Sequence, residues 1–254
     1  MSRVWAIARN TFREAVRNRI LYSLLFFAVL FIGGSSLLSQ LTVGEYEKVI
    51  IDMGLAAISV FGVLIAIFVG IGLVNREIER KTIYTLASKP VSRAAIVVGK
   101  YLGLVMVLAL LVALMGVAFG VTLVLNGISL QPDLATALVL GLVELMVVTA
   151  FAVLYSTFSG PTVASFFCLS TYVIGHLVSD IRDFGAAADG FFVRELSAAL
   201  YWVLPNLDNF NVRTEVVHGV PLAMGHLAAT VGYGLIYSAV VVGVGTVVFR
   251  YRDF

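Results

Sequence analysis

Residues 101–125, YLGLVMVLALLVALMGVAFGVTLVL, run for 25 positions without one charged side chain. A helix needs about 20 mostly apolar residues to cross the ~30 Å hydrocarbon core of a bilayer. The run is apolar on every face instead of alternating, which excludes a membrane β-strand and reads as a spanning helix. Working outward, five further stretches qualify: Ile20–Leu38, Met53–Val74, Leu134–Phe158, Thr162–Ser179 and His226–Phe249. Composition points the same way. Of 254 residues 60% are hydrophobic and 13% charged, against about 25% charged in soluble domains. The expected fold is an all-α polytopic membrane protein, with six transmembrane helices in a domain over 20–254.

Several function classes fall away at once. A net charge of +2 provides no broad basic face for nucleic acid. The single cysteine, Cys168, can close no intrachain disulfide and cannot build a thiolate cluster. Gly99-Lys100 is followed by Tyr101, so it is not a phosphate loop, and neither H-E-x-x-H nor G-x-S-x-G occurs. We therefore expect no catalytic, cofactor or metal residues in this chain.

Thirteen of the 17 lysines and arginines fall before span one, between spans two and three, or after span six. By the positive-inside rule both termini and the loop 75–100 are then cytoplasmic, and the long loop 180–225 lies outside. No A-x-A-like cleavage site follows span one, so that span reads as retained. Residues 1–19 form an amphipathic interfacial helix. Val4, Trp5, Ile7, Ala8, Phe12, Ala15 and Val16 share one face, and Arg3, Arg9, Asn10, Arg13 and Arg17 share the other. Arginines at one-turn spacing suit anionic lipid headgroups.

The loop between spans two and three is richer than a connector needs to be. Glu77 and Lys81 are spaced for an i, i+4 ion pair, Pro90 forces a corner, and Ser92 suits the N-cap of the next helix. Ile83, Tyr84, Leu86 and Val91 are displayed on this cytoplasmic projection, which fits docking of a soluble partner.

Glu77-x-Glu79-x-Lys81-Thr82-Ile83-x-x-Leu86-x-Ser88-x-Pro90-Val91-Ser92-Arg93, with Gly99-Lys100 beyond it, resembles the first cytoplasmic loop of type-two ATP-binding-cassette (ABC) exporter permeases. Lys81 stands where that family has Gly. Ser159-Gly160-Pro161-Thr162-Val163-Ala164 is similar to the family's short link between spans four and five. The general look is closest to the branch containing the permease for maturation of nitrous oxide reductase. The resemblance implies half of a dimeric exporter in a bacterial or archaeal inner membrane, paired with an identical or homologous half. Two ABC ATPase subunits would hold the ATP and Mg, and an extracytoplasmic accessory protein is a further candidate partner. Glu77, Glu79, Thr82, Ile83, Leu86, Pro90 and Arg93 would form the ATPase-coupling contact. The cargo implied is amphipathic or lipid-like; the alternative is a mechanotransmission complex acting on an outside partner.

Glu144 is the one acid near the centre of a span, which makes it a candidate pathway or packing residue. No basic residue is placed in a span to pair with it. His176, His218 and His226 fall near the outer surface at separations that fit no metal-ligand spacing. Gly116-x-x-x-Gly120 permits close helix approach. Phe191–Leu204 is too short to span. It reads as a helix at the outer leaflet or packed on the bundle, with Phe192, Leu196, Ala199, Leu200 and Val203 in one stripe.

Overall fold

A computed structural model describes residues 3–40, 45–79, 92–188, 190–220, 222 and 224–251. The described chain is helical: α1 Arg3–Val16, α2 Arg19–Ser39, α3 Tyr46–Glu79, α4 Arg93–Leu125, α5 Pro132–Phe158, α6 Pro161–Ala187, α7 Phe191–Val203, α8 Arg213–His218 and α9 Met224–Tyr251. Six of these, α2 to α6 and α9, are long and apolar enough to cross a membrane. They contain the six expected spans.

Local chemistry sets the helix ends. Asn18 turns the chain between α1 and α2, its side chain accepting from the Ile20 N–H at 3.0 Å. Ser92 caps α4 as expected, accepting from the Ala95 N–H at 3.3 Å. Asn126 and Gly127 end α4, the glycine at φ 74°, where a side chain would be strained. Pro132 and Pro161 open α5 and α6, where a missing N–H costs nothing.

The helices are unequally enclosed. The apolar windows of α3 and α5 are 67% and 61% buried, against 22–39% for the other four. The core is thus α3 against α5, with α2, α4, α6 and α9 around them presenting wide apolar faces outward. Glycines let neighbours close on α5: a Cβ at Gly62 would lie 2.7 Å from Leu145, and one at Gly234 would overlap Val143. Leu145 and Val143 are both buried.

Helix α1 buries Ala8, Thr11 and Ala15 against its own bundle. It seats on Gly99 and Gly103 of α4, where a Cβ would lie 2.8 Å from Ile7 and 2.6 Å from the Ala8 carbonyl oxygen respectively. Phe12 is half-buried, while Trp5, Arg9, Arg13 and Arg17 remain exposed. The expected apolar face is therefore divided. Its small residues face α4, and Trp5 does not join them.

Helix α7 buries only Ser197, which meets Gly185 of α6. Phe192, Leu196 and Val203 of its expected stripe are exposed. Helix α6 continues to Ala187, eight residues past the expected span end.

Candidate functional site

The site is built where α3, α5 and α6 converge, in the half of the bundle away from the two chain termini. Glu144 lies 12 residues into α5 and is 4% exposed. His176, on α6, places Nε2 2.9 Å from Glu144 Oε1. The expectation that Glu144 lacks a basic partner is thus corrected. His176 does not stand at the surface, because α6 runs on well beyond it. Tyr172, one turn earlier, sets its ring edge against the imidazole at 4.7 Å between centroids.

Two more polar links join α5 to α6. Tyr155 and Thr171 hydroxyls meet at 2.7 Å, and Cys168 Sγ lies 3.6 Å from the Val148 carbonyl oxygen. Buried polar groups need such partners, because nothing in hydrocarbon replaces them.

The chain after α7 returns over this region and is stitched down. Leu207 N–H donates to the Gly175 carbonyl at 3.0 Å. Asn206 Nδ2 donates to Ser179 Oγ at 2.9 Å, and the Asn206 N–H donates to Tyr233 Oη at 3.0 Å. Tyr237 donates its hydroxyl proton to the Val203 carbonyl at 2.7 Å. Gly175 is required here: a Cβ would sit 2.9 Å from Leu207 and 3.0 Å from the Pro205 carbonyl oxygen. Arg213 at the start of α8 then pairs with Asp52 of α3, Nε to Oδ1 at 3.0 Å.

Beneath this roof is a cavity of about 260 Å³. Its polar lining comes from Ser59, Glu144, Tyr172, His176, Asn211 and Arg213, and its apolar lining includes Leu55, Leu138, Leu145 and Phe210. Apolar walls with a few converging polar groups are the usual build of a ligand site. A second, larger concavity of about 650 Å³ lies between the last turns of α4 and the first turns of α5, lined by Val117, Val121, Leu130 and Leu134. It also includes Gly116 and Gly120, so this glycine pair opens a groove more than it seats a helix; Leu138 fills only the Gly116 end. Leu138 borders both the chamber and the groove.

The expected coupling residues are only partly in view. Glu77 and Glu79 lie in the last turn of α3, which continues past the end of the span. Thr82, Ile83, Leu86 and Pro90 lie outside the described residues. Arg93 opens α4, and its Nη1 donates to the Arg250 and Phe249 carbonyls at 2.9 and 3.4 Å, holding the C-terminal end of α9. The other two histidines are apart from the chamber's lining; His218 Nδ1 meets the Thr214 carbonyl at 2.9 Å.

The sequence profile described as "ABC-2 family transporter protein" matches residues 5–254. The chain belongs to the ABC-2 transporter family. It is an ABC transporter permease, a membrane subunit with several transmembrane helices. Over 138 residues it is 32% identical to the "Probable ABC transporter permease protein NosY" of Stutzerimonas stutzeri, a match covering 51% of this chain and 49% of that protein. The match therefore spans about half the length of this curated relative.

Proposed function

We propose that this permease couples ATP hydrolysis by a separate ATPase to export of an amphipathic or lipid-like substrate. The observation that carries this is the end of α3. The helix does not stop where its apolar run ends at Val74 but continues through Asn75 to Glu79, which supports a projection of the 75–100 loop beyond the span. Positive-inside counting makes that side cytoplasmic. Two permease halves, identical or homologous, would enclose the pathway, and two ATPases would dock at the 75–100 loops. Leu86 is the anchor in this scheme, since one apolar side chain filling a groove often dominates an interface.

The test is co-purification of the ATPase with wild-type and Leu86→Asp permease, with ATP turnover measured on the same samples. A carboxylate forced into an apolar pocket is costly, so the variant should fold, lose the ATPase and lose coupled turnover. Normal retention and turnover would refute the coupling role.

One observation favours a second reading, mechanotransmission to an outside partner. Helix α7 presents Phe191, Phe192, Leu196 and Trp202 outward, each at least 48% exposed. ATP turnover stimulated by an extracytoplasmic protein but by no cargo in liposomes would select that alternative.

A further inference from the structure

Helix α1 lies at the boundary of the hydrocarbon. It crosses α4 at Gly99 and Gly103, where added Cβ atoms would meet Ile7 and the Ala8 carbonyl oxygen. The charge-free run of α4 begins between those two glycines, at Tyr101. The level of the crossing is therefore that of the lipid headgroups, and an exposed Trp5 suits the same depth. Ala8, Thr11 and Ala15 are buried against the bundle. Arg13, on the side of α1 away from α4, Arg17 at the Asn18 corner and Arg19 at the start of α2 are all exposed. Among the described residues no ion pair engages these three guanidinium groups, and Glu14, the one acid of α1, pairs with none of them.

An apolar stripe leads away from this corner. Tyr22, Phe26, Leu30 and Leu37 follow Arg19 at helical spacing on one face of α2, and all four are more than half exposed. The apolar window of α2 is the least enclosed of the six, at 22% buried.

Charge selects what covers this face. Arginine stays protonated in any surroundings, so the corner is cationic under all conditions. A second copy packed across a two-fold axis would set the same patch against itself, bringing arginine to arginine at a cost. A phosphodiester complements the corner, because the guanidinium fork takes phosphate oxygens two at a time. Acyl chains hanging from that phosphate then run where the stripe runs.

We propose that the Asn18 corner and the outer face of α2 form a retained site for one anionic glycerophospholipid of the leaflet at the α1 end. Its phosphate is held by Arg13, Arg17 and Arg19, and its acyl chains lie along Tyr22, Phe26 and Leu30. Such a site needs neither cargo nor ATPase, so it stands apart from the export reading.

The probes are palmitoyl-oleoyl phosphatidylglycerol and palmitoyl-oleoyl phosphatidylcholine, which share their chains and differ in net headgroup charge, with glycerol 3-phosphate as the head alone. Binding to the full-length permease in dodecyl maltoside, an uncharged detergent, is measured by native mass spectrometry and by thermal shift. One basic residue near a membrane surface is worth about fivefold in affinity for anionic lipid. With three, phosphatidylglycerol should bind at least about tenfold more tightly than phosphatidylcholine. Arg13→Gln, Arg17→Gln and Arg19→Gln together should abolish that preference, while the matching three Arg→Lys changes keep most of it. Arg194→Gln, on α7, should leave it unchanged. Phe26→Ala with Leu30→Ala should weaken both lipids and preserve their ratio. Equal binding of the two lipids, a preference that survives the three Gln changes, glycerol 3-phosphate competing as well as the whole lipid, or indifference to the Phe26 and Leu30 changes would each overturn the proposal. Loss of permease dimer or of co-purified ATPase from the Gln variant, with its lipid preference intact, would overturn it in favour of that protein.

Discussion

Replacing Glu144 and His176 singly and together tests whether their contact holds α5 to α6. The geometry sets the sizes. Glu144 is 4% exposed and the His176 side chain 25% exposed, with 2.9 Å between Oε1 and Nε2. His176→Leu leaves a carboxyl inside the bundle without its partner, a cost of about 2–3 kcal/mol. Glu144→Leu leaves an imidazole that can still reach water through the cavity, so its cost should be smaller, about 1–2 kcal/mol. Polar contacts between membrane helices average about 0.6 kcal/mol and reach about 1.7 kcal/mol in measured cycles. A coupling of about 1 kcal/mol is therefore expected, with the double variant less damaged than the singles predict when added. Glu144→Gln keeps a hydrogen-bonding partner for Nε2 and should cost under about 1 kcal/mol. The assay is equilibrium unfolding in mixed micelles, with circular dichroism reporting helix loss. If the single costs add to the double within about 0.5 kcal/mol, the two residues act independently. The contact would then not be a structural link.

Gly103→Leu should lift α1 from α4, because the obstructing atom is the Ala8 carbonyl oxygen at 2.6 Å; a loss of about 1–3 kcal/mol and faster tryptic cleavage at Arg9 and Arg13 would show it. Gly175→Val should likewise displace Leu207, seen as a lowered melting temperature, whereas Gly232→Ala, with nothing within 4 Å of its Cβ position, should leave the melting temperature unchanged. Arg93→Ala removes the guanidinium from the Phe249 and Arg250 carbonyls, so hydrogen exchange over the last turn of α9 should quicken, with Arg93→Lys intermediate. Asp52→Asn frees Arg213 from α3. Both side chains are more than a third exposed, so stability should change by at most about 0.5 kcal/mol, while exchange over 205–218 rises and that over α3 does not.

Glu144 was legible in the sequence because an acid inside an apolar run stands out. Its partner was not. His176 lies 32 residues away, close enough to the end of its expected span to resemble the surface histidines His218 and His226. A different signal was present in the same segment. Ala164, Cys168, Thr171, Gly175 and Val178 recur at spacings of three and four, and all are buried. That small and polar stripe marks the face of α6 turned to its neighbours, and Tyr172 and His176 flank it. The outer segment was harder still. Its placement depends on side chains from α6 and α9 meeting backbone groups at 203–207, and no local pattern records those encounters.

The same spacing of glycines gives opposite results at the two ends of α4. Gly99 and Gly103 sit directly beneath α1, whose backbone comes within a Cβ's reach of both. Gly116 and Gly120, also four residues apart, line an open groove where only the Leu138 side chain crowds the first of them. In water, apolar residues around a helix would reveal which face is buried. In a bilayer they do not, since lipid and protein interior are equally apolar, and α4 carries no charged side chain after Lys100. Small residues then state only where an approach is allowed. The partner that uses the allowance is fixed by chain connectivity: α1 is tethered by the Asn18 corner to α2 and held against the start of α4, whereas the 126–131 turn lets α5 leave the end of α4 with a gap. That gap is the groove whose lining meets that of the polar chamber at Leu138.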